Sequence, residues 1–319
     1  MQYNAERINR IVKDGDLDEL ITSSEDRHIM QIENLKRLIK QSHMHSLNSR
    51  VTDAVLITGP SSSGKTTFAR RLCALLQEEG FTPILISFDN YYLDKTELWE
   101  KQNVPYGTPS DEMDLETPEA FDIEYFRKQM TEFLSGKPIM LPKYSFIKNK
   151  KEDDRLITPG DNDIIVVEGI HALNPMLTDG LPFSKLFKVY ICPFDVYSPG
   201  GDSKELLIPQ DIRFMRRLIR DYADRGTKIS KNINMWPKVR EGEELYIKPM
   251  KAEANFFFNS SLEYEIVLLK YRFARLVKRL RKNDRAKLQE LFPLHLLESF
   301  EEVRKVKIPE YSIFNEFYK

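Results

Sequence analysis

The chain has 319 residues, 41% of them hydrophobic, enough for one large domain with extensions or for two smaller ones around a buried core. Its 48 Lys and Arg nearly balance 49 Asp and Glu, and a formal net charge of −1 gives no global field toward nucleic acid or an anionic membrane. The two cysteines, Cys73 and Cys192, match no disulfide framework or zinc spacing, and no apolar run reaches the roughly eighteen residues of a membrane span. A cytoplasmic protein is expected, with neither nucleic acid nor membrane as partner.

Residues 1–50 read as a charged helical prefix, with Ile29, Ile32, Leu35, Leu38 and Ile39 forming one apolar stripe. His43 and His45 follow, and without acidic or cysteine partners at ligand spacing they read as solvated loop histidines rather than a metal pair. The apolar run Ala54–Ile57 predicts a strand, and Gly59-Pro60-Ser61-Ser62-Ser63-Gly64-Lys65-Thr66 then fits the phosphate-loop pattern G-x-x-x-x-G-K-[ST]. A helix from Lys65 to Glu79 continues from it through Thr67. In this order backbone N–H groups converge on phosphate oxygens, Lys65 reaches the outer phosphates and the Thr66 hydroxyl ligates Mg²⁺.

Pro83–Ser87 reads as the next strand, which places Asp89 just past its end on the same rim as the phosphate loop. A carboxylate there can take a proton from an attacking hydroxyl and help hold Mg²⁺. Thr117-Pro118 opens a predicted helix that Gly136 ends. Ile164–Val167 is a short continuous apolar run, as in a strand covered on both faces, and it delivers Glu168 as a candidate metal ligand. His171 beside it reads as a structural or supporting residue. Leu186–Ile191 adds a further strand.

The spacing predicts a helix over Gln210–Arg225 with Arg213, Arg216, Arg217 and Arg220 on one face, a set of forks suited to phosphate oxygens. After about residue 260 the chain turns helical and basic, with Leu262, Ile266, Leu269, Phe273, Leu276 and Leu280 at helical spacing, a core-packing pattern. Tyr91, Tyr92, Tyr144 and Phe146 offer either a stacking surface for a planar ring or core packing. The alternation of strands and helices implies a parallel sheet whose ligands bind at the carboxyl ends of its strands.

Together these motifs resemble the uridine kinase and phosphoribulokinase-like branch of P-loop kinases, over about residues 52–270. The carriers are the phosphate loop, then Ser87, Asp89, Tyr91 and Tyr92, then Glu116-Thr117-Pro118-Glu119-Ala120-Phe121-Asp122, then Pro142-Lys143-Tyr144-Ser145-Phe146, then Glu168-Gly169-Ile170, and last Arg216–Asp221 through Arg225-Gly226. Trp236-Pro237-Lys238-Val239-Arg240 and Phe258-Asn259-Ser260-Ser261-Leu262 are similar to a bacterial subgroup of uridine kinase-like nucleoside kinases.

The resemblance implies an α/β P-loop kinase fold, a mostly parallel sheet flanked by helices with helical N- and C-terminal extensions. Residues 51–319 would form the kinase-like domain, with a lid helix near 210–226 and a helical extension from about 262. It implies Asp89 as catalytic base, Glu116 or Asp114 on sugar hydroxyls, Tyr92, Tyr144 and Phe146 near the acceptor, and Arg217, Arg220 and Arg225 serving lid and phosphates. The implied reaction moves the ATP γ-phosphate, with Mg²⁺, to the 5′-hydroxyl of uridine or cytidine. Asn149 and Thr227 stand where the family carries a pyrimidine-contacting histidine and an arginine, so another small alcohol is an alternative acceptor, and an ATP-binding regulatory protein is the alternative from another class. The sequence leaves room for a homo-oligomer.

Overall fold

The computed structural model describes residues 1–44, 53–109, 112–145, 150–183, 185–201 and 203–318. His45, Phe146, Asn149 and the boundary expected near residue 50 lie outside the described residues. The chain opens with β1 (Gln2–Asn4), α1 (Ala5–Asp14) and α2 (Leu17–Met44), the last carrying its helix through His43 rather than giving way to a loop. There follow β2 (Asp53–Thr58), α3 (Lys65–Glu78), β3 (Thr82–Ser87), α4 (Lys95–Lys101) and α5 (Ile123–Leu134). The antiparallel pair β4 (Ile139–Ser145) and β5 (Lys150–Ile157) precedes β6 (Asp163–Glu168), α6 (Pro175–Thr178), β7 (Leu186–Cys192) and β8 (Val196–Ser198). The last third holds α7 (Pro209–Asp224), α8 (Ile229–Gly242), β9 (Phe256–Asn259), α9 (Glu265–Val277) and α10 (Lys282–Leu291), and the tail ends in a 3₁₀ turn at Ile313–Glu316.

The central sheet is parallel throughout, in the order β3-β6-β2-β7-β9. Its strands are apolar on both faces because both faces are covered. Ile164 and Val166 of β6 enter the core shared with α2, α3, α7 and α9, while Ile165 and Val167 enter the core shared with α5. Ile8, Leu20, Ile32 and Leu35 lie in the first of these cores beside Phe68 and Leu72, so the prefix packs onto the body. Register places Glu168 beside both Ser87 and Ile57, which brings the carboxyl ends of β3, β6 and β2 to one rim. No helix among the described residues is long and apolar enough to cross a membrane.

Two local expectations change. Thr117-Pro118 opens only a 3₁₀ turn (Pro118–Ala120), because Phe121 turns extended and bridges Tyr92. Helix α5 starts afterwards, capped by the Asp122 carboxylate, which accepts from Tyr125 N–H at 3.1 Å. The arginine face of α7 is also not one functional surface. Asp211 through Asp221 are all buried, so the helix is seated in the core and its arginines divide by partner.

Candidate active site

The P-loop links β2 to α3 and depends on two glycines for different reasons. A Cβ at Gly59 would fall 1.9 Å from the Ile191 carbonyl oxygen on β7, so only glycine lets the loop pass the neighbouring strand. Gly64 sits at φ 94°, a left-handed conformation that frees the N-terminus of α3 to turn toward an anion, with no side-chain cap on the helix. Lys65 is 8% exposed, and its Nζ donates to the loop's own carbonyls, Gly59 O at 2.8 Å and Pro60 O at 3.1 Å. Burial lowers the pKa of the ammonium, and the carboxylates of Glu168, Asp89 and Glu316 oppose that shift.

Arg213 and Arg216 brace the loop from behind. Arg216 is wholly buried, pairs with Glu265 at 2.7 Å, and reaches Ser62 O at 3.4 Å and Ser260 O at 2.8 Å. Arg213 pairs with Glu243 and reaches Ser61 O at 3.2 Å. These two arginines are committed to glutamates and backbone, whereas Arg217, Arg220 and Arg225 face a cavity of about 210 Å³. Arg217 Nη1 donates to Ser61 Oγ at 2.6 Å and lies 4.0 Å from Glu116. Asp221 gathers the three: Arg220 at 2.8 Å, Arg217 at 3.6 Å and Arg225 at 3.6 Å. Those cations hold its carboxyl below the usual range against the opposing effect of burial.

The same cavity is lined by Ser61, Ser62, Gly64, Lys65 and Thr66 of the loop and by Asp89 and Glu168 at the sheet rim. Gly59, Pro60, Ser63 and Thr67 frame the loop without lining the cavity. Glu168 Oε1 accepts from Ser87 Oγ at 2.7 Å and Thr66 Oγ1 at 3.2 Å. Burial first, and the Asp89 charge second, push the Glu168 carboxyl up to about 7. Asp89 Oδ1 is buried with no hydrogen-bond partner among the described residues.

One hydroxyl and two carboxylates suit Mg²⁺, which keeps several waters and takes few protein ligands beside substrate phosphates. The unpartnered Asp89 oxygen at the rim fits such an ion. No three His, Cys, Asp or Glu side chains gather as a metal cage among the described residues.

On the other side the cavity is closed by Tyr92, Tyr144 and Glu116. The rings of Tyr92 and Tyr144 are 5.6 Å apart, and Tyr92 also stacks on Phe121 at 4.1 Å. Glu116 is 7% exposed with Oε2 unpartnered among the described residues, and burial raises its pKa against the pull of Arg217. Asp114 does not line the cavity: its carboxylate accepts the Glu116 N–H at 2.9 Å and so fixes the turn that presents Glu116. His171 stands behind the site. Its Nε2–H donates to Glu116 O at 2.8 Å, and burial lowers its pKa to about 4, which keeps the ring neutral.

Residues of the tail and of α8 contribute without a signal named from the sequence. Glu316 of the tail lines the cavity, accepts from Thr67 Oγ1 at 3.3 Å and from Arg220 Nη1 at 3.3 Å; no periodic signal ties a C-terminal glutamate to a loop 249 positions earlier. Lys231, Asn232 and Met235 of α8 also line it. Asn232 left a trace, since it interrupts the apolar face of Ile229, Ile233 and Trp236.

The profile of the Phosphoribulokinase / Uridine kinase family matches residues 54–189. A uridine kinase of Borrelia duttonii (strain Ly) is 30% identical over 201 residues, covering 62% of this chain and 82% of that protein. A uridine kinase of Ureaplasma parvum serovar 3 is 27% identical over 212 residues, covering 66% and 88%. Among solved structures, the YGR205w protein aligns with a TM-score of 0.50 at 14% identity over 71% of this chain and 89% of that one, a likeness of fold alone. Parallel sheet, P-loop and relatives together define a phosphotransferase of the P-loop kinase class. The chain belongs to the phosphoribulokinase/uridine kinase family.

Proposed function

We propose that the protein is an ATP-dependent kinase that phosphorylates the 5′-hydroxyl of a nucleoside, uridine or cytidine, giving the 5′-monophosphate, ADP and a proton. Residues 51–319 form the catalytic unit in this reading, and α7 with Arg225 is its lid. The observation that carries the proposal is a single cavity shared by a phosphate loop, an unpartnered rim carboxylate oxygen on Asp89, and an aromatic and acidic wall of Tyr92, Tyr144 and Glu116. Relatives named uridine kinase support the choice of acceptor.

Loop N–H groups and Lys65 bind the triphosphate, and on arrival of the phosphates Lys65 exchanges two backbone carbonyls for them. Thr66, Asp89 and Glu168 would hold Mg²⁺, which when bound neutralises charge on the phosphates. Asp89 takes the proton of the attacking 5′-hydroxyl, Glu116 accepts hydrogen bonds from the sugar, and Tyr92 and Tyr144 bound the ring. Arg217, Arg220 and Arg225 stabilise charge on the migrating group and help exclude water, which would otherwise take the phosphoryl group.

The test is ADP release over a panel of nucleosides and small hydroxyl compounds. Acceptor-stimulated turnover with uridine or cytidine supports the reading. Turnover only with a sugar, polyol or pantothenate-like alcohol moves the acceptor, the alternative that Asn149 and Thr227 motivate. ATP binding with no acceptor-dependent turnover would make the protein a nucleotide sensor instead.

A further inference from the structure

We propose that Asn232 reads the hydrogen-bonding edge of the acceptor's base, an assignment that rests on the nucleoside reading above. Asn232 is 1% exposed and lines the cavity, and neither its Nδ2 nor its Oδ1 has a hydrogen-bond partner among the described residues. Its neighbours on the buried face of α8, Ile229, Ile233 and Trp236, are apolar. A leucine has the same branched outline and would leave no donor or acceptor unsatisfied, so the amide is explained by a ligand that supplies both partners.

Position narrows that ligand. The C-terminal half of α8 runs along the segment that carries Glu116, where Lys238 Nζ donates to Glu112 O at 2.6 Å and Gly242 abuts Glu116. An ionised phosphate only accepts hydrogen bonds, so it would satisfy the amide's donor and leave its oxygen facing negative charge. Met113 and Met235 line the same cavity and supply polarisable apolar surface for a flat ring. A carboxamide presents one donor and one acceptor side by side, the complement of a pyrimidine edge. With uracil, Oδ1 accepts from N3–H while Nδ2 donates to O4. With cytosine the flipped amide donates to N3 and accepts from the 4-amino group. One rotatable side chain therefore serves both pyrimidines.

The experiment compares uridine with 3-methyluridine, which lacks N3–H, for the wild-type enzyme and Asn232→Leu, by steady-state kinetics with ATP. The wild type should lose about 10- to 100-fold in kcat/KM on methylation. Asn232→Leu should lose a similar factor on uridine, mainly through the uridine KM, with the KM for ATP within about twofold, and methylation should cost this variant less than about threefold. An unchanged uridine KM in Asn232→Leu, or an equal methylation penalty in both enzymes, overturns the assignment. Should the leucine variant not fold, Asn232→Ser and the wild-type methylation ratio decide the matter, and a wild type indifferent to methylation overturns it. Wild-type enzyme with no turnover on any nucleoside overturns the nucleoside reading and this assignment with it, whereas turnover of uridine without the coupling overturns this assignment alone.

Discussion

Arg220 on α7 and Glu316 in the tail meet at 3.3 Å, and the same carboxylate accepts from Thr67 one residue past the P-loop motif. The tail thereby fastens the arginine helix to the phosphate loop, with Ile313, Phe314 and Phe317 buried beneath it. Glu316 also brings a negative charge to the wall that receives a polyanion. Replacing it with glutamine keeps the shape and removes the charge. The KM for ATP of Glu316→Gln should fall about three- to tenfold at low salt, and the effect should fade at high salt. The weakened hydrogen bonds to Arg220 should lower stability by about 1–2 kcal/mol, read as a shift in urea midpoint. A rise in the KM for ATP would show that the carboxylate helps to hold nucleotide rather than opposing it.

Asp89 and Lys65 lie on one rim but do different work in the proposed reaction. Asp89→Asn retains the size and one acceptor but cannot take a proton. Its kcat should fall by about 10²–10⁴, with the KM for ATP changed only a few-fold. Turnover within threefold of wild type would remove Asp89 from the role of base.

The Arg216–Glu265 pair is 0% exposed at both ends and supports the loop through Ser62 O. Removing one partner leaves a buried unpaired charge, so Glu265→Ala should lose about 3–5 kcal/mol of stability. The double change Arg216→Met with Glu265→Leu should recover much of that loss, measured by denaturant titration. Equal losses in the single and double variants would mean that packing, not charge pairing, sets the cost.

The sheet and the phosphate loop were legible because their signals are local: apolar runs of strand length, and a motif in which each position has one physical task. Asp89 and Glu168 were legible by the same logic, since a strand end in a parallel sheet fixes a direction. The arginine helix was legible as a helix but not in its division of labour. Helical spacing puts Arg213, Arg216, Arg217 and Arg220 near one another, while the buried glutamates that claim two of them come from Glu243 and Glu265, whose positions depend on tertiary packing. The resemblance implies Glu116 or Asp114 on the sugar hydroxyls, and the choice between them is not local: the Asp114 carboxylate accepts a backbone N–H, while Glu116 lines the cavity. Glu316 joins the site through a pairing across nearly a hundred positions, for which a single sequence carries no periodic trace.

Buried histidines give the fold an acid limit. Burial lowers His28 to about 3 and His171 to about 4, against an ordinary value of 6.5. Depressed values mean that each neutral ring contributes stability that is whole above pH 6.5 and is lost as pH falls toward the folded-state value. Between those values the unfolded chain binds more protons, so stability must rise with pH. Each histidine should account for about 2 kcal/mol of loss between pH 7 and pH 5. Unfolding free energies of His28→Gln and His171→Gln should each show a correspondingly flatter slope over that range, and an unchanged slope in either would mean that the ring is not held neutral. Because His171 donates to Glu116 O, its variant should also raise the acceptor KM, which the His28 variant should not.

Gly242 offers a probe of the proposed acceptor wall that removes no polar group. It is helical at φ −60°, so alanine there would gain up to about 1 kcal/mol of intrinsic helix propensity. The new Cβ, however, would lie 2.3 Å from Glu116 Cβ, a distance that obliges Glu116 or α8 to shift. Such an overlap in a packed region costs about 1–3 kcal/mol and outweighs the propensity gain. Displacement of Glu116 should weaken its proposed contact with the sugar while the phosphate loop keeps its geometry. Gly242→Ala is therefore expected to raise the acceptor KM by about tenfold or more, with the KM for ATP within twofold of wild type. Equal changes in both constants would locate the damage in the body of the fold, and no change in either would mean that the segment carrying Glu116 yields freely and that the wall does not position the acceptor.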